Sequence, residues 1–180
     1  MNAKKTTVFL GLAFIGFLAL SYYENLIFFN VLSDVLHNQF LAVGMLFIHN
    51  VLVISLILLG MTFYVNLVLL DFFKREKYGR MVIEHPRTFA IAFTIIILFL
   101  SILRGGTLIY GRILIEDLPM ILIISAPLGI IEGYGIYLTI KKTLSRTMSI
   151  KDLAFIYTIF FIAAIIEVFF INLLISVTTR

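Results

Sequence analysis

FLAVGMLFIHNVLVISLILLGMTFYVNLVLLDFF, residues 40–73, contains no Lys or Arg, and its strongly polar members are His49, Asn50, Asn66 and Asp71. Wound as one helix it would be about 50 Å long, against a bilayer hydrocarbon core of roughly 30 Å. Such a run must tilt, protrude or turn. We expect a turn near His49–Asn50, with the span proper at residues 47–70.

The rest of the chain is of the same kind. Of its 180 residues, 62% are hydrophobic and 13% charged, where an ordinary soluble domain is about 45–50% apolar and about 25% charged. A soluble domain of this size could not hide that much apolar surface, so the solvent is lipid. A net charge of +4 and a pI near 9.4 do not signal nucleic-acid binding. The basic residues sit between apolar runs rather than along one face that could follow phosphates. With no cysteine, disulfides, iron–sulfur clusters and thiolate metal sites are excluded.

These patterns predict an all-α, polytopic transmembrane bundle forming one domain over residues 1–180. About five spans are expected, at residues 6–23, 47–70, 88–103, 118–140 and 152–177. The first follows Lys4 and Lys5 and could be a signal peptide, but Tyr22-Tyr23-Glu24 stands where a small-residue cleavage site would be, so a retained helix is expected. Residues 24–46 read as an outer amphipathic segment, with Leu26, Phe29, Leu36 and Phe40 at helical spacing. Arg104-Gly105-Gly106 reads as the end of the third span.

Charge sets the orientation, because Lys and Arg are retained in the cytoplasm. With five spans, one side receives Lys4, Lys5, Lys74, Arg75, Lys77, Arg80, Arg87, Lys141, Lys142, Arg146 and Lys151, eleven of the 14 basic residues. Arg104, Arg112 and Arg180 fall on the other side. The N-terminus is therefore expected inside and the C-terminus outside, in the cytoplasmic membrane.

Two carboxyls stand where lipid makes them expensive. Glu132 and Glu167 have no Lys or Arg in their own spans, and an ionised side chain in the hydrocarbon costs from about 2.5 kcal/mol upward. Each must be protonated, paired or hydrated. Asn50, His49, Arg104, Arg112 and Tyr134 are the available partners. We expect an intramembrane polar cluster of Asn50, Glu132 and Glu167 with His49. As interhelical glue its bonds would contribute about 0.6–2 kcal/mol each; a proton or cation path, or a grip on a partner or substrate, are the alternatives. Pro127 lies inside the fourth span, where it deletes a backbone hydrogen bond and predicts a kink. Gly129 and Gly133, four apart, predict a close helix approach.

Catalytic signatures are missing: no zincin spacing, P-loop or nucleophile elbow occurs in the sequence. His37, His49 and His85 do not form a metal site, no cofactor is implied, and the connecting loops are too short for an enzyme domain. No catalysis of its own is expected.

Three short motifs fall in order: Phe47-Ile48-His49-Asn50 leading to Gly60, then Pro127-Leu128-Gly129-Ile130-Ile131-Glu132, then Ala163-Ala164-Ile165-Ile166-Glu167. Over roughly residues 40–175 the chain resembles the stage II sporulation protein M family of integral membrane proteins. It departs from that pattern in having Pro-Leu-Gly for the usual Pro-His-Gly, and a charged stretch, Lys74 to Arg80, for a glycine-rich one. The resemblance implies about five or six helices in the cytoplasmic membrane and a scaffold for envelope remodelling.

The leading expectation is thus a membrane scaffold whose partners are the lipid bilayer and a membrane or envelope protein. A small proton-, cation- or solute-linked transporter or channel using Glu132 and Glu167 is the rival, as a homo-oligomer because five helices leave little room for a conduit. A membrane-remodelling protein acting through the amphipathic segment is the third.

Overall fold

The computed structural model describes residues 3–35, 38–70, 77–110 and 118–178. All of its elements are helices: α1 (Ala3–Val35), α2 (Gln39–Leu69), α3 (Lys77–Glu84), α4 (Pro86–Tyr110), α5 (Leu118–Leu144) and α6 (Ile150–Thr178). His37, Lys74, Arg75, Arg112 and Arg180 lie outside the described residues. Among the described residues, three helices are long and apolar enough to cross a membrane: Lys4–Phe28 within α1, Gln39–Leu69, and Ile150–Leu173 within α6. The apolar part of α4, Pro86–Ser101, is shorter.

Several expected boundaries need correction. Residues 24–46 are not a separate amphipathic segment. Glu24 to Val35 continue α1, and residues 39–46 open α2. Nor does the chain turn at His49–Asn50, since α2 passes through both without a break. Its start is fixed by Asn38, whose extended backbone (φ −114°, ψ 100°) and side-chain Oδ1, accepting from the Leu41 amide at 3.4 Å, cap the first turn. A polar pair inside a helix was read as a break, but polar side chains that find partners on neighbouring helices need no break. Gly105 and Gly106 likewise do not stop α4, which runs to Tyr110; helical glycine costs only about 1 kcal/mol relative to alanine.

Two layers of apolar packing organise the bundle. Toward the end that carries the basic residues, Ile54 and Val65 of α2 meet Ala90 of α4, Ile136, Ile140 and Leu144 of α5, and Ile156 and Phe160 of α6. Val82 and Ile83 of α3 pack against this layer, so the charged stretch after α2 contains a short helix that its composition did not announce. Toward the opposite end, Phe28 and Val35 of α1 meet Ala42 and Leu46 of α2 and Ala164 and Val168 of α6. Helix α2 takes part in both layers and holds the centre.

Glycine sets how closely the helices approach. Phe63 of α2 covers Gly11 of α1, and Phe14 of α1 covers Gly60 of α2 in return. An added Cβ would come within 3.0 Å and 2.9 Å of the respective rings. On α5, Gly133 faces Leu98 of α4, where a Cβ would lie 2.8 Å from Cδ1. Gly135 lies directly under the Phe160 ring of α6. Gly129, expected to share the close face with Gly133, has nothing within 4 Å of an added Cβ. The close-packing positions of α5 are therefore Gly133 and Gly135, which serve two different neighbours.

The α5–α6 connection is tightly specified. Thr147 N–H donates to Lys142 C=O and Arg146 N–H to Thr143 C=O, both at 3.0 Å, which is a Schellman closure. Arg146 occupies the left-handed position (φ 58°) where glycine is usual. Ser149 and Asp152 then form a reciprocal cap on α6: Asp152 N–H donates to Ser149 Oγ (3.1 Å), and Ser149 N–H donates to Asp152 Oδ2 (3.0 Å). A Lys142–Asp152 ion pair at 3.0 Å ties the two helix ends together.

These contacts make opposite predictions for two neighbouring glycines. Gly135→Ala pushes a methyl into Phe160, which is 2% exposed and has nowhere to move, and is expected to lower stability by about 1–3 kcal/mol. Gly129→Ala meets open space and is expected to be neutral or to gain up to about 1 kcal/mol from helix propensity. Thermal unfolding of both variants in detergent checks the contrast.

Candidate functional site

The apolar layers fix where the polar residues fall. Ile54, Ile136 and Phe160 share one layer. One helical turn from Ile54 toward the start of α2 stands Asn50, and one turn from Ile136 toward the start of α5 stands Glu132. Helix α6 runs the other way, so the same direction leads from Phe160 through Ala163 and Ala164 to Glu167. Ala164 and Val168, which flank Glu167, pack with Leu46, one turn beyond Asn50. Backbone register alone thus brings Asn50, Glu132 and Glu167 to one level between α2, α5 and α6.

The side chains follow that register. The Asn50 side chain lies beside the Glu132 carboxyl, and the Glu132 and Glu167 carboxyls are close enough to repel each other when charged. Asn50 is only 8% exposed, yet its buried Nδ2 completes no hydrogen bond of full geometry with any described atom. Both glutamates are half-buried. Two carboxyls and an amide with an unspent donor can share a proton or hold a small monovalent cation. They can equally pin three helices to one register.

His49 does not join them. Adjacent residues on a helix point about 100° apart, and His49 faces α1, where its Nδ1 lies 2.9 Å from Glu24 Oε2 and 3.1 Å from Oε1. Its ring stacks on Phe28, with centroids 4.7 Å apart and planes 26° apart. The expected cluster is thereby corrected to two sites: Asn50 with the glutamates on one side of α2, and a half-buried Glu24–His49 pair on the other. Tyr134 is half exposed and beside neither. The side chain of Arg104 lies outside the described residues. Glu24 escapes the sequence reading as a partner because it falls at the start of the expected amphipathic segment, where a carboxylate can face water. Its signal was the one that singled out Glu132, a carboxyl in an apolar helix with no cation near it in sequence.

Among the described residues, no group of three or more His, Cys, Asp or Glu is gathered as metal ligands. Comparison with protein-family models, with curated proteins and with solved structures gives no match for this chain.

Separation of the two sites is measurable. Glu24→Gln and His49→Ala, made singly and together, are expected to couple by about 0.5–3 kcal/mol. Glu167→Gln combined with His49→Ala is expected to be additive within about 0.5 kcal/mol. Reversible unfolding in mixed micelles reads both cycles.

Proposed function

We propose that the chain is a multi-pass protein of the cytoplasmic membrane that acts as a scaffold, holding a membrane or envelope protein without catalysis of its own. The observation that carries this is the meeting of Asn50, Glu132 and Glu167. They are the polar ends of the three motifs through which the chain resembles the stage II sporulation protein M family, and they come from three separate helices. Short motifs far apart in sequence that converge on one point suit the setting of a helix arrangement. The five spans in this proposal are α1, α2, α4, α5 and α6, with Pro127 kinking α5. Retention of Lys and Arg in the cytoplasm supports putting the N-terminus and the α5–α6 connection on that side, since eleven of the 14 basic residues fall there when five spans are counted.

The absence of cysteine makes the threading directly testable. Ser149→Cys is expected to react with a membrane-impermeant thiol reagent only after the membrane is opened. Asn38→Cys is expected to react in intact cells; the reverse pattern would overturn the orientation. For the scaffold role, proteins cross-linked to the wild-type chain in membranes are expected to be lost when Phe40, Leu41 and Ile48, all exposed near the outer end, are changed together to Ser. Recovery of the same proteins by that variant would count against it.

A second reading, proton- or cation-linked transport, is favoured by the unspent Asn50 donor beside two neighbouring carboxyls. Glu167→Gln separates the two. Transport predicts an acid-driven flux in proteoliposomes that this variant abolishes while remaining folded. A scaffold predicts no such flux in either protein and an intact set of cross-linked partners.

A further inference from the structure

At the basic end of the bundle, a recess of about 270 Å³ opens between the last turns of α2 and the α5–α6 connection. Leu58 and Met148 supply apolar wall, while Thr62, Asn66, Thr143 and Arg146 supply polar groups. That volume is several times the roughly 30 Å³ share of one water and suits a small polar headgroup.

The hydrogen bonds sort the polar lining by character. Thr62 Oγ1 donates to Leu58 C=O (2.6 Å), Thr143 Oγ1 to Thr139 C=O (2.7 Å), and Asn66 Nδ2 to Thr62 C=O (2.8 Å). Both threonine hydroxyls thus donate to their own helices, which leaves their oxygens as acceptors, while Asn66 keeps its amide oxygen as acceptor and a second N–H. The one cation among the lining residues is Arg146, and no carboxylate pairs with it among the described residues. The nearby lysines are engaged elsewhere: Lys142 pairs with Asp152 at 3.0 Å, and Lys141 lies 5.5 Å over the Tyr137 ring. Arg146 also holds the left-handed backbone position that glycine would fill more cheaply. Arginine here costs the backbone more than glycine would, and its guanidinium stands at the recess where an anionic ligand could meet it.

We propose that this recess binds the headgroup of a membrane phospholipid whose phosphodiester carries an N–H or O–H donor, as phosphoethanolamine and phosphoglycerol do. Arg146 takes the phosphate through charge-assisted hydrogen bonds. The oxygens of Thr62, Asn66 and Thr143 accept from the donor arm. Leu58 and Met148 meet the first carbons of the lipid chains, which is why a lipid is favoured over a soluble phosphate ester. Phosphocholine offers the phosphate but no donor, and leaves the Thr143 oxygen, the buried acceptor of the three, unpaired.

The test is native mass spectrometry of the delipidated full chain in detergent, titrated with phosphatidylethanolamine, phosphatidylglycerol and phosphatidylcholine. The first two are expected to bind about tenfold or more tighter than the third, the discrimination an unpaired buried acceptor produces. Arg146→Gly is expected to cut binding of all three about tenfold or more, as loss of a charged hydrogen bond does, while thermal stability holds or rises. Arg146→Gln, which keeps the reach without the charge, should show the same loss, and Thr143→Val should narrow the gap between ethanolamine and choline lipids. Wild-type binding by both Arg146 variants overturns the proposal. So does equal retention of choline and ethanolamine lipids, or displacement of bound lipid by glycerophosphoethanolamine at matching concentration, which would assign the recess to a soluble phosphate ester.

Discussion

Between helices in lipid there is no hydrophobic force to choose one neighbour over another, because acyl chains are as apolar as leucine. What remains is close fit and the few polar groups that cannot be left alone. In this chain the two devices operate together. The reciprocal ring-on-glycine contacts, Phe63 on Gly11 and Phe14 on Gly60, bring α1 and α2 together near the basic end. The Glu24–His49 pair fixes the same two helices toward the other. On the far side of α2, Gly135 under Phe160 draws α5 and α6 together, and Asn50, Glu132 and Glu167 meet between the three helices. Among the described side chains, helix α4 shows the first device, resting against Gly133 of α5 through Leu98 and Thr94.

The polar cluster sits where it contributes most to uniqueness and least to raw stability. Replacing a buried polar set with apolar side chains of similar volume is often neutral or stabilising, whereas a set with one member missing is costly. A layer of Ile54, Ile136, Ile140 and Phe160 could slide by a turn against its neighbours and still find apolar contacts. Asn50 and the two carboxyls cannot, since any slip leaves them facing leucine and isoleucine. The cluster also lies between the two apolar layers, so a change in its protonation or occupancy would be felt by both.

Much of this was legible in the residues, for reasons that also explain the misses. Long apolar runs declare helices, and carboxyls without a cation in their own span declare a polar interior, so Glu132, Glu167 and Asn50 stood out. The errors share a cause. A turn at His49–Asn50, an amphipathic segment from Glu24 and a stop at Gly105-Gly106 are each expected from the local character of the residues rather than from what another helix could offer them. Glu24 and His49 are 25 residues apart in sequence, and nothing local announces that they meet. The helix Lys77–Glu84 was hidden for the opposite reason. Its charges read as loop, while Val82 and Ile83, too few to make a pattern, find a place in the core.

The fate of the remaining polar side chains shows why so few residues carry so much of the arrangement. Thr62, Thr94, Thr139, Thr143 and Thr158 each donate to the carbonyl four residues back, and Asn66 and Asn172 do the same through Nδ2. A side chain that satisfies itself on its own helix can face lipid, a neighbour or a cavity at little cost, and so says nothing about which helix lies beside it. Only a group too far from its own backbone carbonyls, or with donors and acceptors left over, demands a neighbour. Asn50 is such a group: Asn66 and Asn172 spend Nδ2 on the preceding turn, but Asn50 does not. Its donor is reserved for what stands across the helix boundary. That difference from Asn66 and Asn172 marks Asn50 as part of a site rather than as one more tolerated polar residue.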